Sequence, residues 1–193
     1  MPAATADIAT DAKRVRFTIE EFERMVEVGI IPEDARVELI DGVMYEMAPI
    51  GNWHNATADA LNELFKSSPG ARVIVRVGGS IKLPDVSEPQ PDLAVLRFRA
   101  DYYRDGGVGP TDVLLVIEVS DSSLVYDRTL KLPMYATAGI PEVWIVTREP
   151  AAIEAYRVPR ANGYRERLVY LPGESLSPLA RPELTIHVSD VTG

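Results

Sequence analysis

Val113-Leu-Leu-Val-Ile-Glu-Val-Ser120 is the stretch on which the fold turns. Five successive apolar residues, Val113 to Ile117, suit a central strand buried on both faces, because a strand with one solvated face alternates instead. Helical spacing then predicts a helix from about Asp127 to Ala138, capped by Gly139 with Pro141 beyond. Pro133 inside that span should kink the helix or mark its first turn. Glu142 to Thr147, around Trp144, resumes as a strand. Working back, Leu93–Leu96, Gly79–Leu83 and Val73–Val77 read as short strands broken by Gly and Pro, and Phe98 to Pro110 as an exposed loop. Trp53, Ala56, Ala60, Leu61, Leu64 and Phe65 recur at helical spacing. Asp41-Gly42 sits between alternating runs, a hairpin signal since both turn positions need positive φ. Thr18-Ile-Glu-Glu21 has the form of a capping box for a helix that carries Phe22, Met25 and Val26 inward and stops at Gly29. After the central strands, Ile153–Val158, Tyr164–Tyr170 and Leu184–Val188 read as further strands. The order predicts an α/β (mixed α+β) domain with helices against a central mixed sheet.

Composition sets the outer bounds. The chain's 193 residues suit about one domain, with 46% hydrophobic residues to fill its core. Residues 1–15 lack apolar periodicity and read as a disordered segment, which leaves 16–193 as a single domain with a strand-rich part at about 151–193. The absence of cysteine excludes a disulfide framework, a thiolate zinc site and a cysteine nucleophile. No apolar run approaches the ~18–20 residues of a membrane span. The N-terminus does not resemble a secretory signal, so a soluble, cytoplasmic protein with no membrane partner is expected. The net charge of −9 means that nucleic-acid binding needs a local basic patch or a bound cation.

Three polar features interrupt the apolar pattern: Asp92 before the strand at Leu93, Glu118 at the end of the central run, and Lys131 in the following helix. Taken singly each has a bland reading, as a turn residue, a strand-end ion pair and a solvated helix face. Together they fit one chemistry. Two carboxylates from the ends of neighbouring strands make an oxygen-rich site for a hard cation. A nearby ammonium can position a water or offset phosphate charge, as metal-assisted phosphodiester hydrolysis requires.

The runs Val37-Glu38-Leu39-Ile40-Asp41-Gly42, Gln90-Pro91-Asp92-Leu93-Ala94-Val95 and Val116-Ile117-Glu118-Val119-Ser120 resemble the Uma-two family, described as "putative restriction endonucleases". So do Asp127-Arg128-Thr129-Leu130-Lys131, Tyr135-Ala136 and Ala138-Gly139-Ile140-Pro141-Glu142-Val143-Trp144. These runs stand in the family's order over roughly residues 15 to 158. The resemblance implies a branch of the PD-(D/E)XK nuclease superfamily, with a restriction-endonuclease-like mixed sheet flanked by helices. It makes Asp92 and Glu118 the metal-binding acids, for Mg²⁺ or Mn²⁺, with Glu38 a third acid of the site and His54 a matching histidine at the next helix start. The chain departs from the superfamily pattern at Ser120, where a lysine is expected two residues after Glu118. Lys131 is the substitute that this implies.

Other signals are weaker. His54 alone reads as a structural histidine, and His187 has no role. Asp121, Asp127 and Arg128 flank the site and are candidates to assist, while Ser120-Asp-Ser-Ser123 reads as a loop and helix cap. There is no GxxxxGK[ST] loop, and Gly106-Gly-Val-Gly109 follows a loop rather than a strand, so it reads as a flexible loop. The sequence thus leads to a divalent-metal-dependent endonuclease acting on DNA. The alternative is a non-catalytic interaction module on a nuclease fold. The strand-rich tail is expected to help form a homodimer, since edge strands invite pairing.

Overall fold

The computed structural model describes residues 14–70, 72–84 and 86–193, so most of the segment expected to be disordered lies outside the described residues. The first helix, α1 (Ile19–Glu27), opens on the expected capping box, with Thr18 Oγ1 accepting from the Glu21 N–H and Glu21 Oε2 from the Thr18 N–H. Strands β1 (Val37–Ile40) and β2 (Val43–Glu46) form the antiparallel hairpin. Asp41 and Gly42 turn it with φ of 50° and 73°. Helix α2 (Asn52–Ser67) buries Thr57, Ala58, Leu61 and Phe65, while Ala56, which was expected inside, is exposed.

The main sheet has six strands in the order β3 (Val73–Val77), β4 (Leu93–Arg97), β5 (Val113–Ser120), β6 (Glu142–Thr147), β7 (Ala152–Arg160) and β8 (Gly163–Tyr170). All neighbours are antiparallel except β5 and β6. That parallel pair needs a crossover, which a helical segment supplies. Alternation along β5 puts Leu115, Ile117 and Val119 with Leu61, Phe65 and Trp144 and Val116 with Tyr135, Val143 and Ile145 on the other face, which Val113 joins through a register shift against β4. Glu118 shares the face of Val116. A two-stranded pair, β9 (Ser175–Leu176) with β10 (Ile186–His187), and helix α5 (Val188–Thr192) complete the chain. Among the described residues no helix is long and apolar enough to cross a membrane.

Four expectations need correction. Residues 79–83 are not a strand. Leu83 makes one bridge, to Ser87, and the Lys82 N–H goes to the Val108 carbonyl, so the backbone is satisfied by loops rather than by a ladder. The 98–110 loop is not exposed throughout, because Tyr103 and Val108 are buried in the core. The crossover begins earlier than Asp127, as α3 (Leu124–Tyr126), a π turn (Asp127–Lys131) and α4 (Leu132–Thr137). A proline ring at 133 would strike the carbonyl four residues back, and the wider turn, with the Leu132 N–H on the Asp127 carbonyl, carries the helix past it. In the tail, only Ile186 and His187 of the expected 184–188 strand pair, and Val188 already starts α5.

Candidate active site

The antiparallel register of β4 on β5 pairs Leu93 with Ile117, which sets Asp92 level with Glu118 at the strand ends. Both Asp92 oxygens are held. Oδ2 accepts the Val119 N–H at 2.7 Å and Oδ1 lies 2.9 Å from His54 Nε2. A carboxylate can only accept, so Nε2 of the imidazole carries a proton toward it. His54 Nδ1 is buried and among the described residues has no hydrogen-bond partner. His54 reaches Asp92 because it stands in the first turn of α2.

Glu118 and Glu38 meet around one ammonium. Lys131 Nζ lies 2.8 Å from Glu118 Oε1 and 3.5 Å from Glu38 Oε2, with the lysine side chain 1% exposed. Tyr135 donates to Glu118 Oε1 at 2.7 Å. Tyr126 donates to Glu38 Oε1 and the Gln90 N–H to Glu38 Oε2, each at 2.9 Å. The hairpin turn at Asp41-Gly42 therefore delivers a carboxylate to the end of a different sheet. Asp127 accepts from Ser120 and Ser123, both at 2.6 Å. The π turn buries Asp127 and Lys131 together, so the element that accommodates Pro133 also aims the lysine. Wide turns of this kind recur at functional sites.

Burial pushes the Glu118 carboxyl well above its ordinary range; Lys131 opposes this, and Asp127, Asp92 and Glu38 reinforce it. Burial alone would favour a neutral Lys131, but the carboxylates of Glu118, Glu38 and Asp127 outweigh it and hold the amine protonated. Asp127 is raised by burial despite Lys131 and its two serine donors. Burial also raises the Tyr135 and Tyr126 hydroxyls, keeping both as donors at neutral pH. Glu118 and Glu38 thus share the Lys131 ammonium, Asp127 lies close enough to act on it, and Asp92 stands beside Glu118 on its own two partners.

A cavity of about 350 Å³ opens here, lined by Arg36, His54, Asp92, Glu118, Asp127 and Lys131 among others. Its carboxyl groups present oxygen donors, which suit a hard cation. Among the described residues no three His, Asp or Glu side chains converge as a ready ligand cage.

The structure gathers Glu38, His54, Asp92, Glu118 and Lys131 in one place. Ser120, where a lysine was expected, instead donates to Asp127, and Lys131 reaches Glu118 from the crossover. Asp121 lines the cavity and pairs with Arg148. Arg128 does not join the site, because its guanidinium turns to Glu154. Tyr126 and Tyr135 went unassigned in the sequence reading. Tyr135 follows Lys131 by one helical turn, and that spacing was the available signal.

The sequence model of the Uma2 family, described as "Putative restriction endonuclease", matches residues 19–189, and so takes in the tail beyond the runs at 15–158. No protein of curated function matches the chain in sequence. Among solved structures it is similar to a protein from Anabaena variabilis ATCC 29413, described as a putative nuclease belonging to DUF820, with a TM-score of 0.66 and 17% identity. The likeness covers 91% of this chain and 97% of that one, and at this identity it shows the fold, a nuclease-like mixed sheet. With the match running over most of its length, the chain belongs to the Uma2 family.

Proposed function

We propose that this protein is a divalent-metal-dependent endonuclease that hydrolyses phosphodiester bonds of DNA. One observation carries the reading: buried carboxylates from β1, β5 and the crossover, with Asp92, crowd one lysine at the wall of an open cavity. Such crowding of buried acids is costly to fold, and a site that takes up a cation explains why it is kept. Asp92 and Glu118 would hold Mg²⁺ or Mn²⁺, which when bound supplies Lewis-acid polarisation of the scissile phosphate.

The protein's own groups do the rest. His54 and the Val119 N–H fix the Asp92 carboxylate from both sides, so His54 acts as a positioning residue for that ligand. Lys131 is locked by Glu118 and Glu38 and retains a third N–H donor for a water or a phosphate oxygen in the cavity. Glu38 holds Lys131 in that orientation. The exposed Leu168, Val169 and Leu171, on and just beyond edge strand β8, extend the proposal to a homodimer built by the tail. A monomer mass at micromolar concentration would remove that part.

Plasmid cleavage tests the reading. Cutting is expected with Mg²⁺ or Mn²⁺, none with chelator, and none by folded Asp92→Ala or Glu118→Ala. Folded wild type that cuts neither DNA nor RNA with either ion points to the non-catalytic module instead.

A further inference from the structure

A second feature of the fold addresses how a phosphate backbone approaches a chain of net charge −9. Strand β3 is an edge of the main sheet. Its end, Val77-Gly78, lines the active-site cavity, while Val73 to Val75 line a separate groove of about 680 Å³. Lys66, Arg72, Arg181 and Tyr102 also line that groove, and the Glu183 carboxylate, paired with Arg181, lies against its Gly70 end. Arg181 is buried and spent on Glu183 and on the Ser68 and Pro69 carbonyls. Lys66 and Arg72 are exposed.

The loop after β4 is built to present Tyr102 here. Tyr102 and Tyr103 both take left-handed backbone, with φ of 55° and 61°, a conformation that costs bulky residues energy and clusters at functional sites. Tyr103 is buried, donating to the Arg97 carbonyl at 2.8 Å, and so anchors the loop. Tyr102 is 55% exposed. Two arginines converge on it: Arg72 Nη2 lies 3.4 Å from its hydroxyl and Arg76 Nη2 3.3 Å from its carbonyl. The Arg72 guanidinium also lies over the Phe98 ring at 3.7 Å, so it is held there with no carboxylate partner among the described residues. Arg76 folds back across Gly79, where a Cβ would lie 2.3 Å from its Cδ, so the residue beside the cavity wall must be glycine for the arginine to lie there. Asp101, the nearby acid, is taken by Arg99.

We propose that this groove is the track of a single-stranded nucleic-acid segment entering the active-site cavity, with Lys66, Arg72 and Arg76 on its phosphates and Tyr102 stacked on a base. Exposed cations joined to an exposed aromatic are what sequence-tolerant binding of single strands requires. From Gly78 to Arg72 the strand spans roughly 20 Å at about 3.3 Å per residue, so the contacts lie beyond the scissile bond. The inference rests on the nuclease reading for the identity of the strand as substrate, and it names the surface that binds it.

The experiment measures fluorescence anisotropy of labelled single-stranded DNA and RNA 20-mers in chelator, where the carboxylate site contributes no metal. Wild type, Arg72→Ala with Arg76→Ala, Tyr102→Ala and Tyr102→Phe are titrated between 50 and 200 mM salt. The arginine pair is expected to weaken binding about tenfold and to lower the salt slope by about 1.4, at about 0.7 per lost phosphate contact. Tyr102→Ala should weaken it about tenfold at unchanged slope, and Tyr102→Phe should bind as wild type. Exposed Arg72→Glu serves as a single charge reversal if the double variant melts early. Loss confined to DNA or to RNA assigns that strand as the ligand, and variants that bind both as wild type does overturn the proposal. Cleavage with Mg²⁺ is scored separately. Groove-dependent binding without cleavage sinks only the nuclease reading, cleavage with groove-independent binding sinks only the track, and no binding by wild type sinks the track.

Discussion

Glu118 on β5 and Glu154 on β7 are both buried carboxylates in one sheet, and their surroundings are opposite in sign. Glu154 accepts from Arg128, from Arg167 at 2.7 Å and from Tyr156 at 2.6 Å, two guanidiniums and a phenol for one acid. Burial alone would raise its carboxyl, but those donors outweigh burial and leave it below the usual range. Glu118 shares one ammonium with Glu38 and Asp127, and burial with that crowding leaves it far above the range. Glu154 is surrounded by cations, as a carboxylate that holds strands together would be. Glu118 is left short of them, beside an opening, as the proposed chemistry requires.

The comparison breaks most visibly in activity. Glu118→Gln keeps the shape and the Tyr135 partner but removes a ligand charge, and metal-dependent cleavage should fall about a thousandfold, the scale of losing one preorganised electrostatic contact. Its stability should stay within about 1 kcal/mol of wild type, because burial already favours the uncharged form of this carboxyl. Glu154→Gln should leave cleavage within a few-fold while destabilising the fold. Cleavage rates and urea midpoints of the two variants, taken together, check the contrast. Equal losses of activity would erase it.

Lys131 tests the same centre from its cationic side. Lys131→Met strips the ammonium that Glu118 and Glu38 share, and breaking a buried pair from one side costs about 3–5 kcal/mol. Adding Glu118→Gln should recover part of that loss, since it removes a charge the methionine left unpaired. Urea unfolding of the single and double variants measures the coupling. A double variant less stable than Lys131→Met alone would mean that Lys131 is not what holds the carboxylates.

Much of this was legible in the residues, for physical reasons. The apolar run Val113–Ile117 and the turn Asp41-Gly42 are local signals that tertiary contacts reinforce, and both elements form where expected. Asp92 and Glu118 stood out because a charge at the end of an apolar strand needs a partner. The π turn was not legible. Pro133 announced a disturbance, but whether it kinks a helix, starts one or widens a turn depends on what the crossover packs against. The burial of Tyr103 and Val108 was hidden for a similar reason, since Gly106-Gly-Val-Gly109 looks free until the core that accepts Val108 is assembled. Arg128 shows the limit of proximity in sequence. It lies three residues from Lys131 yet serves Glu154, because the two side chains leave the helical segment in different directions.

The smallest effect sharpens the comparison on the Glu154 side. Removing the Glu154 charge while keeping its shape should cost about 1–2 kcal/mol at neutral pH, the worth of charge-assisted hydrogen bonds. The value sits at the low end because Arg128 and Arg167 are 37% and 51% exposed and their attraction is screened. The carboxyl is depressed in the folded state, so its contribution is present in full above the unfolded glutamate value of about 4.3 and is lost as pH falls through the lower folded value. The urea midpoints of wild type and Glu154→Gln should therefore differ by a constant amount from pH 7 to about pH 5 and converge below about pH 4. Added salt should narrow the gap at pH 7, since both guanidiniums face solvent. A gap that widened on acidification would mean that Glu154 is held protonated rather than charged, and the two carboxylates would then be alike.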